Sequence, residues 1–232
     1  MDTKSKPFTD PNVLTAFKLA ADRDLILQSV YQGMGVASPD IHVRKQDAYY
    51  PPTLELPAYD PEQAKSLLAQ AGYPDGVDVQ LFTAAVMAAM PELAAAYKET
   101  AAKAGIRVSV KQWAPETYWD QVWFVKPFYA MTHPYDFPPF QLLEYYMPDA
   151  TMNEAGIKDQ KYAQWYNDIS ATADPQKRTA IVQEALAYAA QNWSFIIPAA
   201  PDSAYLAAPN LKGLEVDPSY LGNWVRDGYL GA

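Results

Sequence analysis

The chain is 232 residues long, half of it apolar, with 20 prolines, no cysteine and a formal charge of −9. That share of apolar side chains excludes a disordered polymer, and the lack of cysteine excludes disulfides, thiolate nucleophiles and Cys-type zinc sites. An acidic surface repels phosphate backbones and anionic headgroups, so nucleic acid and polybasic membrane docking are not expected, and no apolar run is long enough to span a bilayer as a helix.

Residues 1–7 are polar and do not read as a signal peptide, so either an export signal was removed or the chain starts inside a longer protein. Asp10-Pro11 opens the first predicted helix, with Val13, Leu14, Phe17, Ala20 and Ala21 at helical spacing. An Asp in that position accepts a free backbone N–H, and a Pro in the first turn loses no bond that the helix needs. A second helix is expected over residues 24–31, with Gly33 just past its end. Residues 34–58 break the pattern with prolines and the Tyr49-Tyr50-Pro51-Pro52 cluster, and read as a packed loop.

Asp60-Pro61 opens a third helix, with Ala64, Leu67, Leu68 and Ala71 on one face and Gly72 as its stop. Tyr73-Pro74-Asp75-Gly76 is turn chemistry, and Val77, Val79 and Leu81 then alternate as a strand does. Residues 91–104 read as a helix closed by Gly105, after which Ile106, Val108 and Val110 alternate again. Strand, helix and strand in that order predict a parallel pair with a right-handed crossover. Aromatic residues concentrate over positions 113–146. Tyr162, Trp165 and Ile169 mark the face of one further helix; Asp174-Pro175 caps another, with Ile181, Ala185, Leu186 and Ala189 as its expected buried stripe. Phe195-Ile196-Ile197 reads as a short strand stopped by Pro198, and the last thirty or so residues are apolar but poorly periodic.

Several of these segments resemble a known family. The run from Tyr59-Asp60-Pro61-Glu62-Gln63-Ala64-Lys65 to Leu67-Leu68-Ala69-Gln70-Ala71-Gly72-Tyr73-Pro74-Asp75-Gly76 is similar to a stretch of the family 5 solute-binding proteins of bacterial ABC importers, the dipeptide, oligopeptide and nickel-binding group. Pro7-Phe8-Thr9-Asp10-Pro11-Asn12-Val13, Asp22-Arg23, Gly105-Ile106-Arg107-Val108, Thr117-Tyr118-Trp119 and Asp174-Pro175-Gln176-Lys177-Arg178 agree in the same order. Members of that family are longer, so the chain resembles their C-terminal lobe. The resemblance implies an α/β, type II periplasmic-binding-protein-like lobe, a mostly parallel sheet flanked by helices, over residues 1–201. Residues 202–232 would be a tail that in the family returns to the other lobe. It implies a substrate-binding component of a peptide-type ABC transporter, capturing small peptides or related solutes in a cleft between two lobes. Permease subunits would be its partners, and it would work in the periplasm or on the outer face of the membrane. The alternative is a lobe that binds no ligand and self-associates, as a homodimer through its exposed face, because the tail's apolar residues need some partner.

The candidate ligand site follows from the same resemblance. In the family a Trp is followed three residues later by an Asp that pairs with the peptide's α-ammonium; here His133 stands at the Trp position and Asp136 at the Asp position. A carboxylate facing an ammonium is a charge-assisted bond, and the change from Trp to His thins the apolar wall beside it. The competing reading of Asp136 is a cap on the turn before Phe137-Pro138-Pro139. Trp119 matches an aromatic residue that lines the family's pocket; core packing beside Trp123, one helical turn on, is the alternative. Tyr129 and Tyr135 are candidates by proximity.

Neither metal binding nor catalysis finds support. His42 and His133 stand far apart without an HxxxH spacing, so no metal and no cofactor is expected. Ser38, Asp40 and His42 are too close along the chain for triad geometry, and no GxSxG, P-loop or GxGxxG occurs. Glu62, Lys65, Glu92 and Glu99 read as solvated helix faces. A non-enzymatic binding role is the expectation.

Overall fold

The computed structural model describes residues 1–133, 138–202, 208–213 and 229–230. Helices α1 (Pro11–Leu19) and α2 (Arg23–Tyr31) come first, followed by a short strand β1 (Gly35–Ala37) and helix α3 (Pro61–Gln70). Strand β2 (Val77–Thr83), helix α4 (Met90–Ala102) and strand β3 (Ile106–Gln112) form the next unit. A 3-10 turn leads into the four-residue α5 (Tyr118–Gln121), and α6 (Pro138–Gln141) runs into a π-helical turn, Leu142–Tyr146. Helices α7 (Lys161–Ala171) and α8 (Pro175–Asn192) and strands β4 (Ala199–Pro201), β5 (Leu211–Lys212) and β6 (Tyr229–Leu230) complete the order.

The Asp-Pro starts behave as their chemistry requires. Asp10, Asp60 and Asp174 each accept a backbone N–H from the first turn of their helix, with Pro at the first helical position. The second helix begins at Arg23 rather than Asp24, because Asp22 caps it through the Leu25 N–H. β2 and β3 pair in parallel over their full length, Val77 against Ile106 through Thr83 against Gln112, with α4 as the connection. Val77, Val79, Leu81, Ile106 and Val108 are buried, while Asp78 and Gln80 between them face solvent, which is the period-2 pattern of a half-buried pair.

Among the described residues the buried apolar side chains gather in two cores. One gathers Val13, Phe17, Ile26, Leu68, Tyr97, Tyr118 and Phe128 around β2 and β3. The other packs Ile41, Leu142, Tyr146, Tyr162, Leu186 and Trp193 between the π-helical turn, α7 and α8. Polar groups join them: Lys18 Nζ donates to the Ala190 carbonyl at 2.7 Å, and the buried Arg23–Asp40 pair closes at 2.8 Å. The second oxygen of Asp40 accepts the Ile197 N–H at 2.8 Å.

Three expectations are corrected. Residues 195–197 are not a strand, because the Ile197 N–H is committed to Asp40 and Pro198 has no N–H to give a ladder. The strand lies later, at β4, paired antiparallel with β1 inside what reads from sequence as a loop. On α8 the buried stripe runs through Val182, with Ile181 only half-buried. Glu62, Lys65, Glu92 and Glu99 are exposed, as a solvated face requires. Among the described residues no helix is long and apolar enough to cross a membrane.

Candidate functional site

The backbone after β3 returns to the sheet. Phe82 N–H donates to the Phe128 carbonyl and the Ala130 N–H donates back to Phe82, at 3.0 and 2.8 Å, making a parallel bridge between Phe82 and Tyr129. Since β3 already occupies one edge of β2, residues 128–130 lie along the other. Tyr129 therefore stands at the carboxyl end of the parallel strands, where open α/β sheets place their ligand crevices. Trp113 follows β3 at the same end, its N–H donating to the Thr83 carbonyl at 2.7 Å.

Trp119, on α5, is 41% exposed and meets Trp123 edge to face at 5.3 Å. Trp123 lies beyond the end of α5 and is partly buried, and its Nε1–H donates to Glu154 Oε1 at 2.8 Å. The pairing of the two tryptophans is thus real, but they do not share a buried helix face. Phe124 and Val125 continue the exposed apolar ridge, at 44% and 60% exposure. Tyr129 donates its O–H to Glu154 Oε2 at 3.1 Å, and His133 Nε2 lies 3.4 Å from Glu154 Oε1. Trp119, Tyr129 and His133 thus come from one stretch of chain, and Glu154 ties the last two together. Tyr135 and Asp136 lie outside the described residues.

Burial alone would raise the Glu154 carboxyl. The hydrogen bond and charge of His133, with the donors of Trp123 and Tyr129, overcome it and hold the group below the usual carboxylate range. Burial, reinforced by Glu154, raises the Tyr129 phenol, which stays protonated and can donate. The His133 ring also meets Tyr145 at 4.9 Å and His42 at 5.4 Å, both edge to face. His42 stacks on Tyr145 at 5.3 Å, and its Nδ1 pairs with the Tyr146 hydroxyl at 2.9 Å. Burial, then the neighbouring His133, pushes the His42 imidazole down to about 3.

Glu154 and the pairing of Tyr146 with His42 escaped the sequence reading, which weighed His42 only as a metal ligand or triad member. Glu154 sits in an Asn153-Glu154-Ala155-Gly156 stretch that carries only a turn signal. Chain separation proves to be a poor argument about His42 and His133, since their rings touch. Among the described residues no group of three or more His, Cys, Asp or Glu could hold a metal ion. Ser38, Asp40 and His42 turn to three different partners, the Ile41 carbonyl, Arg23 and Tyr146. Two shallow depressions of about 320 and 380 Å³ are lined by residues near Asp78 and Arg107 and by the loop before α4. Neither includes Trp119, Trp123, Tyr129 or His133.

Comparison with known proteins agrees with this architecture. The family model described as bacterial extracellular solute-binding proteins, family 5 Middle, matches residues 1–153. Heme-binding protein A of Haemophilus influenzae is 35% identical over 88 residues, 38% of this chain and 16% of that protein. The dipeptide-binding protein of Escherichia coli is 33% identical over 81 residues, 35% of this chain and 15% of that protein. Among solved structures, the periplasmic binding protein DppA of Helicobacter pylori, in complex with the peptide STSA, superposes with a TM-score of 0.85 at 21% identity. It covers 100% of this chain and 46% of its own. The oligopeptide-binding protein AppA of Bacillus subtilis, in complex with a nonapeptide, gives 0.79 at 18% identity, over 100% of this chain and 49% of its own. The chain thus spans about half the length of the solved structures it matches, and these likenesses establish a periplasmic-binding-protein type II fold.

Proposed function

Since the chain belongs to the family 5 bacterial extracellular solute-binding proteins, we propose that it captures a small peptide or related solute for an ABC importer, on the face carrying Trp119, Tyr129 and His133. The observation that carries this reading is the Trp119 ring, 41% exposed and edge to face with Trp123, near a Tyr129 at the carboxyl end of the parallel strands whose hydroxyl, like the Trp123 indole N–H, is tied to Glu154. Aromatic faces contact many side chains without demanding a hydrogen-bond pattern, which suits a binder of varied peptides. Asp136 completes the site as acceptor for the solute's ammonium, with Tyr135 beside it. Residues 1–201 act as one lobe of a two-lobed receptor and residues 202–232 as the tail reaching toward the other, outside the cytoplasm and docking on permease subunits. No catalytic step is involved.

One lobe of a two-lobed cleft binds weakly by itself. A micromolar complex corresponds to about −8 kcal/mol, and half of that leaves only about millimolar affinity. The test is a thermal melt of the chain with and without millimolar pools of di- to pentapeptides. Ligand that binds only the folded state stabilises it by RT ln(1 + [L]/Kd), so a reproducible upward shift at tenfold excess is expected. A cooperative melt with no shift from any pool removes solute capture by this lobe. The exposed Phe124 and Val125 favour a second reading, self-association through the same face, and a defined dimer in sedimentation would support it.

A further inference from the structure

Glu154 belongs to no helix or strand, yet its side chain is only 4% exposed. A carboxylate at that depth is tolerated when donors surround it. Here Oε1 takes the Trp123 Nε1–H at 2.8 Å and faces His133 Nε2 at 3.4 Å, while Oε2 takes the Tyr129 O–H at 3.1 Å. The Tyr118 hydroxyl and the amino group of Met1 also feel its charge.

The backbone that delivers Glu154 is clamped from both sides. Asn153 Nδ2 donates to the Met147 and Ile157 carbonyls at 3.1 and 2.7 Å. Thr3 donates both its N–H and its hydroxyl to the Ala155 carbonyl, at 3.1 and 2.9 Å. Gly156, at φ +67, lets the turn close where a Cβ would come within 3.0 Å of Lys4 Cε.

We infer that Glu154 is the positioning residue of the aromatic wall, and that this wall receives an apolar or aromatic side chain of the solute. The inference rests on the solute-binding reading given above. By drawing the donors of Trp123, Tyr129 and His133 to one buried point, the carboxylate turns their polar atoms inward. Trp123, held in this way, meets Trp119 edge to face at 5.3 Å, and the two rings form one apolar surface. Such a surface gains from burying an apolar group, whereas the Trp123 and Tyr129 donors that a solute carboxylate would need are already taken by Glu154. Glu154 itself does not touch the solute.

The test uses Glu154→Gln and Glu154→Asp, with Trp123→Phe to assign the Trp123 indole proton by its disappearance from a nitrogen-correlated NMR spectrum. In Glu154→Gln the Trp123 indole proton moves upfield and exchanges with solvent at least tenfold faster, while the remaining indole signals hold. Calorimetry with the dipeptides Ala-Phe and Ala-Asp gives the second readout. Wild type prefers Ala-Phe, and Glu154→Gln loses that preference about tenfold. An unchanged indole signal and exchange rate in Glu154→Gln overturns the positioning role without reference to any ligand. Should the glutamine variant fail to fold, Glu154→Asp, with its carboxylate withdrawn by one methylene, must show the same indole change, and a wild-type signal there overturns the role equally. Equal wild-type affinity for both dipeptides overturns the apolar preference alone. Binding of neither overturns the solute reading and that preference, while the indole result still decides the role of Glu154.

Discussion

His42 and His133 meet edge to face with ring centroids 5.4 Å apart, one from the loop after β1 and the other from the stretch that returns past β2. Burial dominates the electrostatics of His42, and this contact adds to it. His42 is stacked on Tyr145 and paired through Nδ1 with Tyr146; burial, and next the neighbouring His133, hold its imidazole down at about 3 against an ordinary 6.5.

That depression makes stability depend on acid. The folded protein keeps His42 neutral while the unfolded chain protonates it below about 6.5, so the contribution is complete above that pH and is lost as pH falls toward about 3. At pH 4.5 the loss from this group is about 2–3 kcal/mol. His42→Phe keeps a ring against Tyr145 and abolishes the titration. Urea unfolding at pH 7.5 and 4.5 should show the variant losing less on acidification than wild type, and parallel losses would remove His42 as the cause.

The buried pair between Arg23 and Asp40 holds the two cores together. Arg23 also donates to the Ser38 and Lys18 carbonyls, at 3.0 and 3.1 Å, so all three guanidinium nitrogens are engaged. Asp40→Asn tolerates the backbone at φ +63 but leaves a buried cation without its counter-charge. A loss of about 3 kcal/mol in urea unfolding is expected; a change under about 1 kcal/mol would show that water or local rearrangement compensates.

Two glycines separate backbone strain from steric exclusion. Gly72 and Gly76 both have positive φ, +91 and +83. A Cβ on Gly72 meets nothing within 4 Å, whereas one on Gly76 would fall 2.2 Å from the Gly105 carbonyl oxygen. Gly72→Ala should cost about 1–2 kcal/mol for the left-handed backbone alone. Gly76→Ala should cost clearly more, because the Val77–Gly105 bond at the start of the parallel pair must yield. Equal thermal shifts for the two variants would contradict this.

Asp136→Asn should weaken binding of a dipeptide with a free amino terminus, and acetylated dipeptide should not distinguish the variant from wild type. Its melting temperature should stay within a degree or two of wild type. If the variant melts several degrees lower at unchanged affinity, Asp136 is a turn cap and not a ligand contact.

Asp174 supplies a simpler check on the local chemistry. Its carboxylate accepts the N–H groups of Gln176 and Lys177, at 2.9 and 3.1 Å. Asp174→Ala should lower stability by about 1 kcal/mol without touching the site, as read by thermal melting and by unchanged aromatic NMR signals.

What the sequence determined by itself was local. The caps of α1, α3 and α8, the strand alternation of β2 and β3 and the parallel pairing across α4 all rest on interactions within a few residues or on a single periodicity. The aromatic stretch holding Trp119, Tyr129 and His133 was legible for the same reason, as composition concentrated in one segment. Tertiary structure decided the rest. Whether residues 195–197 or 199–201 form a strand depended on Asp40 claiming the Ile197 N–H from 157 residues away in the chain. Which face of α8 is buried depended on the neighbours Tyr162 and Trp193 in the second core. Glu154 carries no distinguishing pattern in the chain, and the cluster of His42 with Ser38 and Asp40 gives no hint of its partner Tyr146. Their roles come from desolvation and from donors supplied by distant segments, and a buried charge acquires its meaning only when the partners that compensate its lost hydration are in place.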